Sequence, residues 1–66
     1  MIIQISPNEW VNLTHLESIE IRADSENKFY LVIKDAGKTY SYQSAPFCNQ
    51  EVARSFAKSI VAKFKD

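Results

Sequence analysis

One histidine, His15, and one cysteine, Cys48, occur among the 66 residues. These side chains most often act as general base, metal ligand or thiolate nucleophile, but neither has the company such work needs. A zinc site takes at least about three protein ligands, and the chain has no C-x₂-C or H-x₃-H spacing. No Gly-x-Ser-x-Gly elbow occurs, and Cys48 has no neighbouring His or Lys to activate it. Cys48 therefore reads as a small, buried or half-buried hydrophobe beside a helix start. Glu17 and Glu20 differ in parity along a strand and so point to opposite faces, where they cannot share a substrate. Gly37 is the only glycine, which excludes phosphate-cradling Walker and Rossmann loops. The expectation is no catalytic, cofactor-binding or metal-binding residue, and a protein that is not an enzyme.

Binding chemistry is better represented. Tyr30, Tyr40 and Tyr42 fall on adjacent predicted strands, near Arg22, Lys28, Lys34 and Lys38. Aromatics on an open sheet stack bases while basic side chains follow phosphates, the arrangement of a single-stranded nucleic-acid binder. Against that reading, the isoelectric point of about 6.6 is not basic, and Glu20 shares the face of Arg22. Tyr, Trp and Arg are also the usual anchors of protein interfaces, and the expected role is protein binding. The candidate contact residues are Trp10, Arg22, Tyr30, Val32, Lys34, Tyr40 and Tyr42. Trp10 is expected to pack where the first hairpin meets the sheet. His15 is expected in a turn, with a local hydrogen bond.

These residues depend on strands and one helix for their positions. The apolar run at 2–5 suits a strand, "SPN" at 6–8 a turn, and 9–13 a returning strand. "THL" at 14–16 reads either as a turn or as one helical turn. Strict alternation over 17–23 puts Ile19, Ile21 and Ala23 on one face and Ser18, Glu20 and Arg22 on the other. After a polar turn at 24–27, where Asn27 suits a left-handed conformation, a strand is predicted at 28–34. Phe29, Leu31 and Ile33 share one of its faces, Tyr30 and Val32 the other. Gly37 is expected at positive φ in a hairpin loop leading to a last strand at 38–43. Pro46 breaks the ladder. Asn49 caps a helix at about 50–64 whose apolar stripe runs Val52, Phe56, Ile60, Phe64, with Ala53 and Ala57 beside it. The prediction is one α+β domain over 1–66. It is a two-layer fold, an antiparallel meander of four or five strands with the C-terminal helix packed on one face. The other face, with Ser18, Glu20, Arg22, Tyr30, Val32 and Lys34, is left open.

Composition fits that picture. At 45% hydrophobic and zero net charge the chain is outside the disordered class. Residues 1–27 carry net −4 and residues 28–66 net +4, so the halves can attract within one molecule or between two copies. With Cys48 alone, no internal disulfide can form, which favours a reducing compartment. No apolar run reaches the roughly 18–20 residues of a membrane span, and no signal peptide is evident, so a cytoplasmic location without membrane contact is expected. Domains this small often gain stability by self-association, making a homodimer a natural form.

"VNLTHLESIEI" followed by "KFYLVIKDAGKTY" resembles, in pattern, small β-rich regulatory modules such as LytTR-type DNA-binding domains and FlbD-like flagellar regulators. The similarity covers about half the chain and assigns no functional residue. The expected function is a small protein-binding regulator, assembly subunit or inhibitor of the kind mobile elements encode. It would act through an open sheet face or edge. The alternative is single-stranded nucleic-acid binding.

Overall fold

The computed structural model describes residues 1–65. Five strands precede one helix: β1 (Ile2–Ser6), β2 (Glu9–Asn12), β3 (Leu16–Ala23), β4 (Phe29–Asp35), β5 (Ser41–Gln43) and α1 (Gln50–Lys63). The predicted α+β class is observed, with every pairing antiparallel. The strands divide between two sheets, β1-β2 and β3-β4-β5, rather than running as one meander. The reason lies at Ser44–Pro46. There Ala45 N–H reaches the Ile5 carbonyl at 3.4 Å and the Ser6 hydroxyl at 3.0 Å, and Pro46, without an N–H, cannot extend this contact into a ladder. The segment returns to β4 one residue later, where Phe47 and Phe29 form an isolated bridge.

All three pieces contribute to one core. Ile3 and Ile5 of β1, Val11 and Leu13 from the second arm of the hairpin, Leu31 and Ile33 of β4, and Ala53 and Ile60 of α1 are buried. Alternation explains the choice, because each of these strand residues lies two from the next on the same face. Helix α1 starts from Asn49, whose backbone is extended and whose side-chain Oδ1 accepts the Val52 N–H at 2.8 Å, and it carries Glu51 in its first turn and Lys63 in its last. Its buried stripe is centred on Ala53 and Ile60, with Phe56, Ala57 and Phe64 packed alongside. Val52, expected in that stripe, is 49% exposed. It sits in the first turn, one position from Ala53, and Ala53 takes the place nearest the sheet.

Connections also differ in detail from expectation. Thr14 and His15 form a bend, not a helical turn, before β3 begins. Among the described residues Asn27 has the only positive φ outside glycine, 60°, as its side chain predicts. Gly37 does not have one: no glycine does. The β4–β5 turn is closed instead by Lys38 N–H on the Asp35 carbonyl at 3.1 Å and Gly37 N–H on the Asp35 carboxylate at 3.0 Å. Lys38–Tyr40 therefore belong to the connection, and β5 begins at Ser41 rather than 38.

Candidate protein-binding surface

The cross-strand register of the three-stranded sheet fixes which side chains share a face. Ser18 opposes Lys34, Glu20 opposes Val32, and Arg22 opposes Tyr30. These form the face away from the core, as the alternation predicts, and β5 adds Gln43 opposite Val32. Ion pairs tie this face together. Arg22 Nη2 lies 2.8 Å from Glu20 Oε2, and Lys34 Nζ lies 3.3 Å from Glu17 Oε2; the register shift between Leu16 and Ser18 breaks the parity that would have set Glu17 on the opposite face from Glu20. The hydrogen bonds and charge of Glu20 raise the Arg22 guanidinium above its ordinary value. Because these side chains are about half exposed, the pairs add little stability. Their value is in setting a charge pattern.

The remaining candidates lie elsewhere. Tyr42 opposes Ile33, which places its ring on the core side, in contact with the buried cluster. Its hydroxyl accepts from Lys38 Nζ at 2.6 Å, and its ring meets Tyr40 edge-on at a centroid distance of 5.4 Å. The Lys38 ammonium pulls the Tyr42 phenol below the ordinary tyrosine range. Lys38 is in turn raised, chiefly by its bond to Tyr42. Tyr40, 56% exposed, stands in the β4–β5 connection. Tyr30, Tyr40 and Tyr42 are thus not one stacking platform. Trp10, expected to pack at the base of the hairpin, is 58% exposed. It pairs with Gln4 on the outer face of β1-β2, because Val11 and Leu13 take the inward positions. His15 is exposed in the β2–β3 connection, and its main chain donates to the Asp35 carboxylate and accepts from Ala36 N–H. Cys48, expected to be buried or half-buried, is exposed, since the chain there has left the sheet and not yet entered α1.

A feature not singled out from the sequence lies at the outer edge of β3. Leu31 exchanges hydrogen bonds with Ser44, its N–H to the hydroxyl at 2.9 Å and its carbonyl from Ser44 N–H at 3.0 Å. Phe29 does the same with the main chain of Phe47. The odd-numbered main-chain groups of β4 therefore face β5, and those of Tyr30, Val32 and Lys34 face β3. In an antiparallel ladder the two residues of a hydrogen-bonded pair face each other. It follows that Ser18, Glu20 and Arg22 turn their main chain inward, and Ile19, Ile21 and Ala23 turn theirs outward. Strand β3 has no neighbour but β4 among the described residues, so these N–H and C=O groups form an open row. The edge of β2 is different: Asn12's carbonyl there accepts Lys38 Nζ at 2.6 Å. Just past the end of β5 the chain bonds to β1 through Ala45.

Beside the β3 edge runs a groove of about 550 Å³ between strand and helix. Leu16, Ile19, Ala57 and Val61 give it apolar walls, and Arg54 and Lys58 of α1 rim it. Ile19 and Ile21 are only half-buried, whereas Leu31 and Ile33 on the neighbouring strand are completely enclosed. The apolar face of β3 is thus partly uncovered along the same line as its open main chain. Among the described residues no group of three or more His, Cys, Asp or Glu converges as a metal site would require, and no helix is long and apolar enough to cross a membrane.

No family model, curated protein or solved structure matches the chain.

Proposed function

We propose that this is a non-enzymatic protein-binding module, a small regulator or assembly subunit, which takes an extended segment of a partner onto the free edge of β3. The single observation that carries the reading is the outward row of N–H and C=O groups on Ile19, Ile21 and Ala23. Unpaired strand edges are templates for another strand, with main-chain bonds supplying affinity and alternate side chains supplying selectivity. Half-buried Ile19 and Ile21 beside the apolar groove would give the incoming strand somewhere to place apolar side chains. Tyr30 stands on the open face while Tyr40 and Tyr42 pair with each other at the β4–β5 connection, which favours this reading over single-stranded nucleic acid, a ligand that needs aromatics gathered on one face. An exposed, unbridged Cys48 suits a reducing compartment, so the proposed setting is the cytoplasm.

The test is amide hydrogen exchange on the protein with its captured partner. Binding at the edge slows exchange at Ile19, Ile21 and Ala23, whose amides are open in the free protein. Protection confined to the Tyr30, Val32 and Lys34 face, or to Trp10 and its neighbours, would overturn the edge as the site.

A further inference from the structure

The geometry points to a second copy of this chain as the occupant of the β3 edge, joined strand to strand about a two-fold axis through Ile21. This rests on the edge-binding reading above and names the partner. Two identical strands meeting edge to edge in antiparallel fashion must align residues whose main chains both face outward. Ile19, Ile21 and Ala23 are those residues, which leaves a short menu of registers.

Charge selects among them. Centring the axis on Glu20 sets Glu20 against its own copy, and centring it on Arg22 does the same for Arg22; like charges directly opposite are unfavourable. Centring it on Ile21 sets Glu20 against Arg22 of the second copy, and Arg22 against Glu20. These are non-hydrogen-bonded pairs, the kind in which side chains stand closest. The Glu20–Arg22 pair already present within the strand, at 2.8 Å, then becomes half of a four-charge cluster of alternating sign. In the same register Ile21 exchanges main-chain bonds with its own copy, and Ile19 with Ala23 of the second copy. Edge charges usually deter strand addition; here they are complementary only to themselves. Beyond Ile19 the second copy's strand runs on into Asp24 and the acidic Glu26, towards the end of the groove that Arg54 and Lys58 rim. The opposite charges of the two halves of the chain are thus satisfied between copies. The register shift at Leu16–Ser18 ends the regular edge on that side, so the overlap is short and the association concentration-dependent.

Sedimentation velocity over a wide concentration range at low salt tests this, with circular dichroism confirming the fold of each variant. The wild-type chain is expected to form a reversible dimer. Glu20→Arg and Arg22→Glu each turn both cross-copy pairs into like-charge pairs and should weaken association by roughly tenfold or more. Both positions are exposed, with side chains 57% and 56% accessible, so folding is retained. The double variant restores complementarity and should dimerise as the wild type does. Mixing the two single variants should give a heterodimer that neither forms alone. Single variants that associate like the wild type, or a double variant that stays as weak as the singles, overturn the register. A wild-type chain that remains monomeric throughout overturns the second copy, and leaves edge binding to the exchange experiment with another partner.

Discussion

Thr14 donates its backbone N–H to the Asp35 carboxylate at 2.8 Å, joining the connection after β2 to the end of β4. His15 N–H at 3.2 Å and Gly37 N–H at 3.0 Å complete the carboxylate's set of donors, and Asp35 is fully enclosed. Three main-chain donors from two loops thus converge on one side chain, which holds the two sheets in their relative positions.

Acid should loosen that joint. The N–H groups of Thr14 and Gly37, then that of His15, hold the Asp35 carboxyl below its ordinary value against the opposing effect of burial. A group depressed on folding stabilises the native state above its unfolded pKa, about 4 for aspartate, and loses that contribution as pH falls through the folded value. Thermal midpoints followed by circular dichroism should therefore decline below about pH 4. Asp35→Asn should be less stable at neutral pH, because its amide NH₂ cannot accept from the donors one carboxylate oxygen now serves. It should also show a flatter acid limb. An unchanged acid limb in that variant would remove Asp35 from the account.

Leu31 tests how far the core depends on the central strand. It is completely buried, and Leu31→Ala should cost about 2–5 kcal/mol in chemical denaturation. A core of this size supplies only about 3–5 kcal/mol, so the variant should be largely unfolded at room temperature. A cost below about 1 kcal/mol would fall short of the transfer term that remains even after full cavity collapse, and would show that Leu31 is not enclosed in the core.

Asn49 tests the helix start. Loss of its bond to the Val52 N–H in Asn49→Ala should reduce stability by about 0.5–2 kcal/mol. Asn49→Asp keeps an acceptor at the helix's positive end and should restore most of it.

Gly37 gives a prediction of the opposite sign. Its φ is not positive, and a Cβ placed there would lie 3.6 Å from Asp35 Oδ1, an ordinary contact. Gly37→Ala should therefore be tolerated and should stabilise by about 0.4–1 kcal/mol, since it restricts the unfolded chain. Destabilisation in a melting experiment would show that the turn uses a freedom only glycine has.

Legibility of the structure in the sequence followed the strength of alternation. Over β3 and β4 the inward positions are apolar in strict alternation, and the division of faces is legible in the sequence, including the open face of Glu20, Arg22, Tyr30, Val32 and Lys34. Strand β5 has only three residues, and its aromatic alternation does not say which face is inward. Its phase is set by where the β4–β5 turn releases the chain, and that depends on the Asp35 bonds. Tyr42, a candidate contact residue by type, accordingly lies on the core side. Trp10 was misplaced for a different reason. Val11 and Leu13 alternate inward, and that signal was available, but the size of Trp favoured a packed position. Cys48 was judged by residue type, and type says nothing about a crossing between layers. The β3 edge could not be read at all, because which strand ends a sheet depends on pairing between distant segments.

The Lys38 ammonium, resting on Asn12's carbonyl at 2.6 Å, has a bearing on how large any assembly can grow. A protein with two adhesive strand edges can add copies head to tail without limit, and such growth ends in fibres. A strand arriving at the Asn12 edge would first have to displace that ammonium, whereas the β3 edge carries no such occupant. Growth from a single self-complementary edge closes after one addition. On this view the lysine acts as a terminator, keeping a sheet that could polymerise at a countable size.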